Sequence, residues 1–173
     1  MKYQTSTHSS TGLGLLETSN GMYQITAPVT LDELLSIASG LLEEQFKRSS
    51  YLNSPTTTRS FLQTRLCTRD REVFSCVFLD SQHGVLAYEE LFVGTIDSAS
   101  VYPREVIKRA LALNAAALIC SHNHPSGVPE PSSADRQITD QLSKALDLVG
   151  VRLLDHIVIG GTKSVSFAER GWL

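Results

Sequence analysis

The sequence predicts an α/β domain with its sheet layered against helices, and three observations predict it. Two compact apolar runs of strand type, Val73 to Leu79 and Ala115 to Cys120, are separated by stretches of helical periodicity. The second run is apolar at every position, as expected for a strand in the middle of a covered sheet. Strands that alternate with helices in this way describe a layered α/β fold.

The elements follow in order. Residues 1–29 hold only two charged side chains, Lys2 and Glu17, among many Ser, Thr and Gly, and are expected to be loosely structured. The remaining residues, 30–173, form the domain. Thr30 followed by Glu33 is a capping-box pattern, and Leu31, Leu34, Leu35, Ala38, Leu41 and Leu42 recur at helical spacing, so a helix should run to about Arg48. Asn53-Ser54-Pro55 reads as a turn and residues 56–66 as a shorter helix. Val73 to Leu79, a turn at Asp80 to Gly84 and a returning strand at Val85 to Val93 make a hairpin. Pro103 suits the first turn of a helix carrying Val106, Ile107, Ala110 and Leu111. After the strand at 115–120, a polar, proline-rich loop runs from Ser121 to Pro131. A long helix then begins near Ser132, followed by strands at Val151 to Ile159 and Val165 to Phe167.

Composition narrows the function classes. A length of 173 residues corresponds to one globular domain with a short appendage. Lys and Arg total 15 against 18 Asp and Glu, a net charge of −3, which argues against affinity resting on a broad phosphate-binding surface. No long apolar run suits a membrane span, and the N-terminus lacks the apolar core of a secretory signal. Three cysteines, Cys67, Cys76 and Cys120, without a C-x-x-C pair, suit reduced thiols and a cytoplasmic location. No Gly-rich phosphate loop is present.

The chemistry-bearing stretch is Ser121-His122-Asn123-His124-Pro125-Ser126-Gly127, followed by Ser132-Ser133-Ala134-Asp135. Alternation along a strand places His122 and His124 on one face, where two imidazoles can chelate one divalent metal. Asp135, eleven residues past His124, can fold its carboxylate back to the strand end. Two histidines and a carboxylate leave a fourth tetrahedral position for water, as in catalytic zinc sites, although other transition metals accept the same donors. Ser132 with Asp135 is also a helix-capping pair, and the two readings are compatible.

The pattern H-x-H, seven residues, then S-x-x-D resembles the metal-binding signature of the JAMM (MPN-plus, or JAB) metalloproteases. The wording His122 to Gly127 and Pro131-Ser132 resembles the RadC branch. So do Glu90-Leu91-Phe92 with Gly94-Thr95, Pro103-Arg104-Glu105, Asp155 to Gly160 and Ser166 to Gly171. The resemblance implies a three-layer JAB/MPN sheet flanked by helices, of cytidine-deaminase-like type. It implies one zinc ion per chain held by His122, His124 and Asp135, and hydrolysis of a peptide or isopeptide bond. Glu90 matches the upstream-strand glutamate that serves as general base, with Glu89 pointing to the opposite face. Ser132 matches the hydroxyl that stabilises the oxyanion. Full-length RadC proteins carry an N-terminal helix-hairpin-helix region that residues 1–50 do not supply, so a short form with the JAB domain alone is expected.

Several side chains remain open to more than one reading. Asp155 could hold a ligand histidine, or His156 could be a half-buried histidine with no such role. Cys120 is open to reading as a ligand or as a small core residue. Arg104, Lys108 and Arg109 form a small basic face, solvated or bound to nucleic acid. A DNA-associated role and a catalytically silent scaffold are the alternatives to the hydrolase. A nucleobase deaminase is excluded by the lack of H-x-E and P-C-x-x-C.

Overall fold

The structure, a computed structural model, describes residues 15–18, 22–48, 55–94 and 100–173. Residues 1–14 with His8, the turn residues Asn53 and Ser54, and Thr95 lie outside the described residues. The chain divides into two compact units, Met1–Leu41 and Leu42–Leu173.

In the first unit, β1 (Leu15–Thr18) and β2 (Met22–Ile25) pair antiparallel, with Leu15 opposite Ile25 and Thr18 opposite Met22. Composition alone reads this stretch as loose; the overlooked signal is Asn20-Gly21, a dipeptide that favours hairpin turns. Every side chain of β2 is exposed, so the hairpin forms without burying an apolar face there, which is why no hydrophobic pattern announces it. The helix α1 (Leu31–Arg48) opens on the expected capping box. The Thr30 N–H donates to Glu33 Oε2 at 2.7 Å and the Glu33 N–H to Thr30 Oγ1 at 3.3 Å.

The second unit contains α2 (Pro55–Leu66), β3 (Val73–Leu79), β4 (Val85–Val93), α3 (Pro103–Ala112), β5 (Ala117–Asn123), α4 (Ser133–Asp147), β6 (Arg152–Gly160) and β7 (Lys163–Ser166). The strands form one sheet in the order β4-β3-β5-β6-β7. All pairs are antiparallel except β5 with β6, which α4 connects as a crossover. The carboxyl end of β5 therefore opens toward the amino end of α4.

Alternation along each strand gives the sheet two apolar faces. On one, Val73, Val77 and Leu79 of β3 and Ala117 and Ile119 of β5 pack with Phe61, Leu62 and Leu66 of α2. On the other, Phe74, Cys76, Phe78, Leu118 and Cys120 pack with Val106 and Ala110 of α3 and with Leu142 and Leu146 of α4. The result is the expected three-layer α/β architecture. Burying each large apolar side chain contributes about 1.5–3 kcal/mol relative to leaving it in water. No described helix is long and apolar enough to cross a membrane.

The main departure from expectation is that β5 continues past Cys120 to Asn123. Ser121, His122 and Asn123 read as loop because they are polar, yet all three are buried with partners. The Ser121 and Ser75 hydroxyls lie 2.7 Å apart across the β3–β5 ladder. The Asn123 side chain accepts the Val73 N–H at 2.8 Å and donates to the Arg71 carbonyl at 2.9 Å.

Candidate metal centre

The centre forms where β5 ends. His122 is buried on the α3/α4 face, its ring parallel to Phe74 with centroids 6.5 Å apart. His124 follows the strand, and its N–H donates to the Ile159 carbonyl at 2.8 Å. Its ring Nδ1 donates to the Val128 carbonyl at 2.8 Å, because a carbonyl can only accept, so Nε2 of the neutral ring carries a lone pair. The loop that supplies Val128 lies on Gly160 of β6. A Cβ at Gly160 would stand 2.5 Å from Pro129 N and 2.7 Å from Gly127 O, so the close approach requires glycine.

Asp135 enters from the first turn of α4. Its Oδ2 accepts the Ser132 N–H at 2.7 Å and the Ser132 hydroxyl at 2.6 Å, while its own N–H donates to Ser132 Oγ at 3.1 Å. This capping box holds the carboxylate against the histidines rather than away from them. Asp135 Oδ1 lies 3.3 Å from His122 Nε2 and Oδ2 lies 3.6 Å from His124 Nε2. The two Nε2 atoms are 3.0 Å apart. One donor atom from each of the three residues falls within 4.8 Å of the others, the one such group among the described residues.

The electrostatics favour a cation. Burial alone would raise the Asp135 carboxyl, but the His122 and His124 imidazoles, which donate to it when protonated, outweigh that and hold it well below the usual carboxylate range. The hydrogen bond that a protonated His124 would donate to Asp135 raises the His124 pKa. Two imidazole nitrogens and a carboxylate that converge in a half-enclosed site suit zinc in donor type and number. The residues thus fit the metal that the sequence motif implies.

Glu90 does not join this group. It pairs with Ser75 across the β3–β4 ladder, on the face that packs against α2, and its Oε1 is 2.7 Å from Arg69 and 3.4 Å from the Tyr88 hydroxyl. His122 occupies the opposite face. The register shift between Phe74 and Ser75, where Leu91 is the extra residue of β4, fixes which glutamate faces which side. Glu89 faces α3 and is held by both nitrogens of the Arg109 fork.

The glutamate beside the centre is Glu72, immediately before β3. Phe74 stands opposite His122, and continuing that antiparallel register sets Glu72 opposite His124. Glu72 is half-buried, and its charge helps raise the His124 pKa. The available signal was the alternation Glu72, Phe74, Cys76, Phe78 along one face. Turning it into a prediction requires knowing that β3 pairs with β5.

The remaining candidates sort cleanly. His156 is fully buried rather than half-buried, and its Nε2 lies 2.8 Å from His122 Nδ1. Burial pushes its pKa well below the ordinary histidine value, with the neighbouring His122 adding to the effect. Asp155 does not reach a ligand: its carboxylate accepts the Ala168 N–H at 3.0 Å and the Ser166 hydroxyl at 2.7 Å, tying β6 to the turn after β7. Cys120 Sγ faces Cys76 Sγ at 3.7 Å inside the core. On α3, Lys108 pairs with Glu105 and Arg109 with Glu89, which offsets much of the basic face.

A family model described as RadC-like JAB domain matches residues 52–172. Among curated relatives, a UPF0758 protein of Aeromonas hydrophila is 56% identical over 143 residues, covering 83% of this chain and 64% of the relative. One from Nitrosococcus oceani is 57% identical over 143 residues, with coverage of 83% and 64%. One from Vibrio cholerae is 57% identical over 145 residues, with coverage of 84% and 65%. The chain thus spans just under two thirds of the length of these relatives. With the three-layer sheet and the His122, His124 and Asp135 cluster at the end of β5, these matches show that the chain belongs to the RadC-like JAB domain family.

Proposed function

We propose that the protein is a zinc-dependent hydrolase that cleaves a peptide or isopeptide bond. The observation that carries this reading is the convergence of His122 Nε2, His124 Nε2 and the Asp135 carboxylate at the carboxyl end of a central strand. In α/β sheets this is where ligand sites collect. His122, His124 and Asp135 would hold the metal. When bound, zinc lowers the pKa of water toward neutrality and polarises a carbonyl.

The protein's own groups supply the rest. The Glu72 carboxylate accepts a proton from the attacking water and returns it to the leaving amine, the general acid–base role. This assignment replaces Glu90, which the sheet separates from the centre. Ser132 donates its hydroxyl proton to Asp135 Oδ2 and acts by holding that carboxylate in place. The Val128 carbonyl fixes the ring of His124.

Zinc per chain, measured for the wild type beside His122→Ala and Asp135→Ala, tests the reading. About one equivalent in the wild type, lost in both variants while they stay folded, is the expected result for a site of three protein ligands. Wild-type protein that takes up no zinc after reconstitution would overturn it.

A further inference from the structure

Resting on that reading of the centre, we propose that Thr139 is a positioning residue for it: acting through His156, its hydroxyl fixes the imidazole tautomer in which His122 presents an unprotonated Nε2 toward His124 and Asp135. The argument is one of hydrogen-bond direction. Thr139 Oγ1 lies 2.5 Å from the Asp135 carbonyl oxygen and 2.6 Å from His156 Nδ1. The carbonyl can only accept, so the single hydroxyl proton goes to it. The hydroxyl must therefore accept from His156, whose Nδ1 carries a proton.

A neutral imidazole has one N–H, so His156 Nε2 is a bare acceptor. At 2.8 Å it takes the proton of His122 Nδ1. His122 in turn has no proton left for Nε2, the atom that lies 3.3 Å from Asp135 and 3.0 Å from His124. The reversed chain fails at its far end. It would point the Thr139 proton at His156 and leave two oxygen lone pairs facing each other at 2.5 Å.

The relay is held rigidly. The His156 ring stacks on Phe167 with centroids 4.9 Å apart and meets Phe74 edge-on at 5.5 Å. His122, Thr139 and His156 are all buried, so no solvent competes for these hydrogen bonds. Thr139 sits one turn after Asp135 on α4, where a threonine hydroxyl can reach back to the carbonyl four residues earlier. The helix thus contributes to the centre twice: the Asp135 side chain faces the histidines, and the Asp135 carbonyl sets the direction of the chain that orients one of them.

Thr139→Val removes the hydroxyl and keeps the shape, whereas Thr139→Ser keeps the hydroxyl. Two readouts are needed: zinc affinity by chelator competition, and nitrogen NMR of the imidazoles in metal-free protein. The wild type and Thr139→Ser are expected to show His156 protonated at Nδ1 and to bind zinc alike. Thr139→Val is expected to lose that preference and to bind zinc about 10–100-fold more weakly. Wild-type His156 protonated at Nε2 would overturn the proposal, and so would wild-type zinc affinity in a folded Thr139→Val. Absence of zinc binding by the wild type would overturn the metal-centre reading instead. The imidazole spectra, recorded without metal, still decide the tautomer.

Discussion

Glu72 and Glu90 illustrate how much a single residue's role depends on the face it occupies. Both precede apolar residues on neighbouring strands, and both are carboxylates with the right chemistry for proton transfer. Glu90 is tied to Arg69 on the α2 side of the sheet, while Glu72 stands beside His124. Glu72→Gln is expected to retain zinc and fold but to lose hydrolysis by about 10²–10⁴-fold, the usual contribution of a general base. Glu90→Gln should leave turnover close to that of the wild type. Rates measured on variants with matched zinc content distinguish the two, and a dead Glu90→Gln beside an active Glu72→Gln would reverse the assignment.

At the scale of elements, the centre depends on how tightly the loop between β5 and α4 lies on β6. His124 is anchored to Ile159 through its backbone, and the loop crosses Gly160 with no room for a side chain. Gly160→Ala is expected to destabilise the fold by about 1–3 kcal/mol through overpacking. Because the displaced residues, Gly127 and Pro129, flank the Val128 carbonyl that orients His124, zinc affinity should fall in the same variant. Gly127→Ala is a useful contrast, since its φ of +78° strains an alanine while the space around it is open. Thermal unfolding and chelator competition on the two variants separate backbone strain from displacement of the loop.

For the molecule as a whole, the centre gathers residues from four separate stretches of the chain. Glu72 precedes β3, His122 lies near the end of β5, Asp135 is in the first turn of α4 and His156 lies in β6. Such a set exists only in the folded state, so a metal that binds it must stabilise the fold. Zinc at 100 times its dissociation constant should add about 2.7 kcal/mol. For a domain of this size that raises the unfolding midpoint by about 5–10 °C. Excess chelator should abolish the rise, and His122→Ala should show none. A midpoint in the wild type that ignores zinc would contradict a centre built from these elements.

Much of this was legible in the sequence. Hydrophobic period located α1, α3 and α4, the turn before Pro55 marked the start of α2, and compact apolar runs bounded by turns marked strands β3 to β7. The spacing of His122, His124 and Asp135 marked the cluster, because the strand end and the helix start are neighbours along the chain. The hairpin of β1 and β2 escaped, having no described side chain buried to leave a pattern. So did the last residues of β5, whose polar groups become buried only because Ser75 and the backbone of residues 69–73 satisfy them. The placement of Glu72 rather than Glu90 on the side of His124, and of Thr139 and His156 behind His122, lay beyond the sequence. Both depend on strand register and sheet face, which the packing of distant elements sets and local spacing does not encode.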